Sequence, residues 1–344
     1  MALRSGNNNR SPGDRSTTLS GKTVGYSANK TGGEVSKGNI VASGGDEFII
    51  GDYKYHVFTS TDYLAVTEAP TLSSLQFTII AGGGNAQGPI ASGGSGAGGF
   101  VNGTTSQGQV GIGSHLITVG GAGGNSSIFA DDSIPGNGTR SPSSANDITT
   151  VALAGGPGGA EDRSGGSGGG GNGWATYMGA TPGTNGQGNA GADGVDTGPP
   201  YYYRNGGGGG GAGGDGYPGS RPGGSPSPIP EFCGWGGIGK AIFNGDSFPT
   251  SYGTPGPYSG RWFGGGGGTA GVFTSVDASG GLGGGGSDED AAQTNGGSPV
   301  RNGLINTGGG SSGSGNDTVL GGSGIVVIRY TISANYNYPT LNPA

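Results

Sequence analysis

The side chains that could do chemistry in this chain are aromatic rings set among glycines: Trp174, Tyr177, Tyr201, Tyr202, Tyr203, Tyr217, Trp235, Tyr252, Tyr258, Trp262 and Phe263. Such rings can stack on a sugar or a protein side chain, or they can bury the apolar area that glycine cannot supply. The first use makes Trp174, Tyr201, Tyr202, Tyr203, Tyr217, Trp235 and Trp262 candidate ligand contacts. The second makes the rings end plates for glycine-rich chain, and it is favoured for most of the set.

The reactive side chains are few. Cys233 stands alone, which excludes an intrachain disulfide, and it has no cluster of metal-ligating residues around it. His56 and His115 lie in strand-like runs without a nearby nucleophile or acid, so nothing supports a general base. Asp131-Asp132, Glu161-Asp162 and Asp288-Glu289-Asp290 could offer oxygen ligands to calcium, but solvated loop charge is the commoner role of such clusters. Gly234 to Lys240 (GWGGIGK) fits the glycines and lysine of a phosphate-binding loop, yet Ala241 stands where magnesium needs a hydroxyl. The GxGxxG matches lack a strand before them and a helix after them. Gly210 to Pro218 matches a single calcium-binding nonapeptide, whereas such sites share ligands between tandem copies. Asn102, Asn125 and Asn137 fit the glycosylation pattern but read as turn residues. These readings give a non-enzymatic chain with no cofactor.

The elements that would hold the rings must be built from an unusual composition. Of 344 residues 90 are glycine, only 30% are apolar and 11% are charged, so one large oily core is excluded. Short β-branched and aromatic runs read as strands: 48–50, 53–59, 63–67, 75–81, 110–112, 115–119, 127–129, 149–154 and 325–331. No amphipathic helix is found. Between residues 155 and 324 glycine runs dominate, and without glycine at every third position a collagen helix is excluded. Glycine can instead form polyproline-II-type helices, whose peptide groups point outward and need neighbours. Packed side by side, such helices hydrogen-bond laterally, and any larger side chain obstructs the approach.

Residues 1–45 are polar and without periodicity, and read as an extended arm. Residues 1–40 carry six basic and two acidic side chains, a charge of +4 within a total of −7, which leaves −11 for the remainder. Arg4, Arg10, Arg15 and Lys22 are the anchoring candidates of this arm, too sparse for nucleic-acid binding. No secretory leader is recognised and no run reaches the roughly 18 apolar residues of a membrane span. The expected domains are therefore 1–45 as arm, 46–331 as the glycine-rich β domain and 332–344 as a tail.

The order of motifs carries a resemblance. YKYHVFT (53–59), LQFTIIAGGG (75–84), SGAGGFVNGT (95–104), HLITVGGAGGNSSIF (115–129), the glycine tracts and GGSGIVVIRY (321–330) resemble the glycine-rich domain of marine bacteriophage structural proteins. A looser similarity, in ITVGGAGG followed by NSS, reaches the extracellular glycine-rich region of anaplastic lymphoma kinase. The resemblance implies an all-β, jelly-roll-like sandwich carrying polyglycine-II inserts. It also implies a tail fibre or fibre-tip adhesin, assembled in the host cytoplasm and located on the virion. Its partners would be other virion proteins, held by the arm, a host surface glycan or protein, and further copies of the chain, with a trimer favoured. The alternative is a capsid decoration or head-fibre protein with a structural role; a bacterial surface-layer protein ranks below both.

Overall fold

The computed structural model describes residues 39–70, 73–86, 92–129, 150–159, 164–173, 179–196, 204–219, 234–243, 248–257, 260–269, 271–272, 278–287, 301–313 and 318–332. They form an all-β fold with no α-helix among the described residues.

The apolar runs build two antiparallel five-stranded sheets. The first contains β1 (Val41–Ser43), β4 (Asp62–Glu68), β7 (Gly113–Thr118), β8 (Ser126–Ile128) and β9 (Thr150–Ala152), in that spatial order. The second runs β2 (Asp46–Ile50), β3 (Tyr53–Phe58), β16 (Ile325–Thr331), β5 (Gln76–Ile80), β6 (Phe100–Thr104). Period-two alternation places Leu64, Val66, Ile117 and Ile128 of the first sheet against Phe58, Phe77, Ile79, Val326 and Ile328 of the second. β16 is central and buried on both faces, which is why IVVI is continuously apolar.

The other face of the second sheet has its own core. Tyr55, Val57, Ile80, Phe100, Ile325 and Val327 pack on Ala212, Ile242, Phe248 and Phe263 from the glycine-rich part. Phe48, Tyr55, Phe248 and Tyr252 stack or meet edge to face with centroids 5.3–6.4 Å apart, so an aromatic plate closes the end of the glycine array. Arg329 lies 4.0 Å from the Phe243 ring and 4.3 Å from the Tyr53 ring and donates to the Tyr55 hydroxyl at 2.9 Å, tying β16 to this plate.

The glycine segments form a lattice whose bonding repeats every three residues. Along 94–99, successive N–H groups donate to Gly207, Ser311, Gly156, Gly210, Gly308 and Leu153 at 2.7–3.0 Å. Residues i and i+3 thus share a partner segment, as a three-residue-per-turn polyproline-II helix requires. Carbonyls of the same stretch accept from Gly170 and Ser167, from Gly267, and from Gly84 and Ala81, which makes six neighbouring segments in all. Segment 206–212 is enclosed in the same way. Its N–H groups reach Gly171 and Gly168, Tyr217 and Gly214, Gly267 and Gly264, while its carbonyls accept from Gly234 and Gly237, Gly94 and Ala97, Ala192 and Asn189. A Cβ at Gly209 would lie 1.9 Å from the Ser95 carbonyl oxygen, so close approach of backbones, not backbone flexibility, demands glycine there.

Several sequence expectations shift. β6 was hidden by Asn102-Gly103, which reads as a turn; the Phe77 ring covers Gly103 in the cross-strand pair and fills the missing side chain's place. Residues 110–112, expected as a strand, form a bend between β6 and β7. β1 falls inside the stretch expected as arm, and Ile40 and Ala42 are buried in the sandwich core. Most of the expected arm and tail, 1–38 and 333–344, lies outside the described residues.

Candidate functional site

Segment 234–239 has fewer lattice neighbours than 206–212, and the period of three decides which residues face out. Gly234 and Gly237 donate to Gly206 and Gly209; Gly236 and Gly239 donate to Ser279 and Leu282. The remaining residues of each turn are Trp235 and Ile238. Their N–H groups have no acceptor among the described residues, although their carbonyls accept from Tyr217 and Gly213. Two glycine positions per turn are fixed by the lattice, and the third is free to carry a side chain of any size.

That free row is apolar and in water. Trp235 is 39% exposed and Ile238 41%, and at about 3.1 Å per residue in polyproline-II geometry they are spaced about 9 Å along one edge. Tyr217, 56% exposed, stands on the adjacent segment; its N–H donates to the Trp235 carbonyl at 2.9 Å. The two rings meet edge to face with centroids 6.4 Å apart and planes at 65°. The backbone beneath is anchored: Gly208 donates to the Tyr217 carbonyl, and the Asp215 carboxylate accepts from the Ala190 N–H. The result is a hydrophobic ledge of Tyr217, Trp235 and Ile238 on a hydrogen-bonded backbone, able to stack on a flat or ring-shaped ligand.

Of the expected ligand contacts the structure brings together Tyr217 and Trp235. Trp262 takes a different place: it lies half-buried in β14 (Arg261–Phe263), paired with β12 (Lys240–Ala241) and β13 (Thr254–Pro255), its indole packed on the Gly256 backbone. Trp174, Tyr201, Tyr202 and Tyr203 lie outside the described residues, as do Arg4, Arg10, Arg15 and Lys22 and the carboxylate clusters weighed for calcium. Ile238 was missed as a site residue. Its signal was the spacing in GWGGIGK, where the two apolar side chains, Trp235 and Ile238, stand three apart.

The phosphate-loop match in the same segment is accounted for by this geometry. Residues 234–239 are a lattice helix that continues into β12 without an α-helix, and the Lys240 ammonium lies 5.8 Å over the Phe100 ring. Among the described residues no three His, Cys, Asp or Glu side chains gather in a way that could hold a metal ion, and no helix is long and apolar enough to cross a membrane. Both histidines have neighbours that explain their burial. His115 packs edge to face on Phe129, centroids 5.2 Å apart, and its Nε2 is 2.8 Å from the Gly111 carbonyl. His56 is bound between β1 and β16.

Neither the curated proteins nor the solved structures contain a significant match to the chain. A family of glycine-rich domains matches over residues 59–331, from the residue after β3 to the last residue of β16, and so takes in the lattice, the ledge and all strands of the two large sheets except β1, β2 and β3. On this match the chain belongs to the glycine-rich domain family.

Proposed function

We propose that the protein is a bacteriophage virion surface protein, a tail fibre or fibre-tip adhesin, whose glycine lattice holds apolar side chains against a host surface glycan or protein. The observation that carries this reading is the ledge of Tyr217, Trp235 and Ile238. An indole and a phenol set edge to face in water on a hydrogen-bonded backbone stabilise little in the fold, and exposed apolar clusters mark contact surfaces. The part of the expected arm that precedes β1, with Arg4, Arg10, Arg15 and Lys22, anchors the protein to other virion proteins in this reading. Trp174 and Tyr201 to Tyr203 remain further candidate ligand contacts by residue type, and a trimeric assembly multiplies weak single contacts in this reading. The phage assignment draws on the order of motifs from YKYHVFT to IVVIRY, and the rigid lattice supplies the physical logic of a scaffold for exposed recognition residues.

The test is competition for adsorption. Purified protein added to host-type cells at rising concentration blocks attachment of the phage, and a Tyr217→Ala/Trp235→Ala double variant of unchanged melting temperature does not. A folded wild-type oligomer that fails to bind cells would favour the capsid decoration or head-fibre role instead.

A further inference from the structure

β1 is the first strand among the described residues and ties the start of the described chain to the sandwich. One edge of β1 pairs with β4, through Ala42↔Val66 and Ser43↔Ala65. The other edge has no neighbouring strand among the described residues, and side chains of the second sheet take its place. Lys54 donates to the Ala42 carbonyl at 2.8 Å, and the Ala42 N–H donates to the Tyr330 hydroxyl at 3.2 Å. The Gly44 N–H donates to Glu47 at 2.9 Å, while the Gly44 carbonyl lies 2.8 Å from His56 Nδ1. His56 Nε2 is 3.3 Å from the Tyr330 hydroxyl, the two rings stack with centroids 5.6 Å apart, and His56 is fully buried.

These partners fix the protons. A carbonyl only accepts, so Nδ1 carries the imidazole proton. Nε2 of the neutral ring is then the acceptor, and the Tyr330 hydroxyl, which receives the Ala42 N–H, donates its own proton to it. A second proton on the ring would turn Nε2 into a donor, take from the Tyr330 hydroxyl its acceptor and place a cation in a dry site. The charged groups around the ring divide: Glu47 Oε1, 3.7 Å from Nδ1, attracts the cation, and Lys54, itself paired with Glu47 at 2.8 Å, repels it. Burial outweighs the Gly44 and Glu47 contributions and holds the His56 pKa below its ordinary value of 6.5.

We infer that His56 is an acid-sensitive latch: its protonation releases the outer edge of β1 and frees the chain N-terminal to it from the sandwich. Opening lets His56 return to its ordinary value, so acid favours the open form by up to 10^(6.5−pH), roughly 30-fold at pH 5. The latch stands whether or not the N-terminal residues anchor the protein to a virion.

The experiment measures amide hydrogen-exchange protection factors in the full chain between pH 7.5 and 5, alongside the His56 ring shifts. Protection at Ala42 falls as the pH drops below 6.5, by at most roughly 30-fold at pH 5, while Val327 in the core stays protected. A His56→Gln variant, which keeps a donor and an acceptor but does not titrate, loses the pH dependence. Three results would overturn the latch: Ala42 protection that ignores pH, protonated His56 with Ala42 still protected, or Val327 exchanging in parallel. If the variant fails to fold, the wild-type titration alone still decides.

Discussion

Replacing Gly209 by Ala puts a methyl group 1.9 Å from the Ser95 carbonyl oxygen and 2.3 Å from its carbon. Real Cβ contacts under 3.0 Å essentially do not occur, so segments 92–99 and 206–212 must part by at least 3.0 − 1.9 = 1.1 Å at this point. Both flanking bonds, Gly94 to Gly207 at 3.0 Å and Ala97 to Gly210 at 2.9 Å, would then stretch to about 4 Å, too long to count as hydrogen bonds. Each leaves a buried donor and acceptor unpaired, at about 1.5–3 kcal/mol per bond, or about 3–6 kcal/mol for the two. The smaller backbone entropy of Ala in the unfolded chain returns about 0.5–1 kcal/mol. The net loss of about 2–5 kcal/mol is a large share of the 5–15 kcal/mol that stabilises a typical domain. The control is Gly111→Ala, where nothing lies within 4 Å and the backbone is not left-handed; it should be neutral or stabilising by up to about 1 kcal/mol. Urea unfolding followed by tryptophan fluorescence gives both values. A Gly209→Ala protein within about 1 kcal/mol of Gly111→Ala would refute the argument that close packing makes glycine obligatory here.

Other substitutions separate the ledge from the scaffold. Trp235→Ala and Ile238→Ala, on the outward row, should shift stability by less than about 1 kcal/mol in the same unfolding assay while reducing binding to host-type cells. Arg329→Met removes the contacts to Phe243 and Tyr53 and the bond to the Tyr55 hydroxyl, and should cost about 2–3 kcal/mol with a loss of near-ultraviolet dichroism from the aromatic plate. Tyr252, desolvated and donating to Asp46 at 2.6 Å, has its pKa raised well above the ordinary 10. Its protonated form is favoured by folding, so that contribution is intact below pH 10 and is lost as pH rises beyond it. Tyr252→Phe should therefore weaken the alkaline fall in stability seen in the wild type by equilibrium unfolding between pH 9 and 11.

The strands were legible wherever β-branched and aromatic residues run together: 53–59, 75–81 and 325–331 match β3, β5 and β16 closely. The lateral bonding of glycine helices was legible as a principle, because outward-pointing peptide groups need partners. Which segment binds which was not, since glycine carries no side chain to label a register; nothing in 94–99 marks Gly207, Ser311 and Gly156 as successive partners. β6 was hidden because Gly103 owes its place to Phe77 across the strand pair, a tertiary contact without local signal. Of the ledge, the rings were readable by type. Ile238 became readable only once the three-residue period separated the outward row of 234–239 from the two rows held by the lattice.

The central claim is that glycine helices bond to neighbours in a three-residue cycle and leave Trp235 and Ile238 facing out. Scalar couplings through hydrogen bonds, measured by NMR on isotope-labelled protein, test it most directly. Couplings are expected from the amides of Gly94 and Ala97 to the carbonyls of Gly207 and Gly210, from Gly234 and Gly237 to Gly206 and Gly209, and none from Trp235 or Ile238 to a carbonyl of the described lattice segments. Couplings that run along one neighbouring strand without the period of three, or amides of Trp235 and Ile238 bonded like their glycine neighbours, would contradict it.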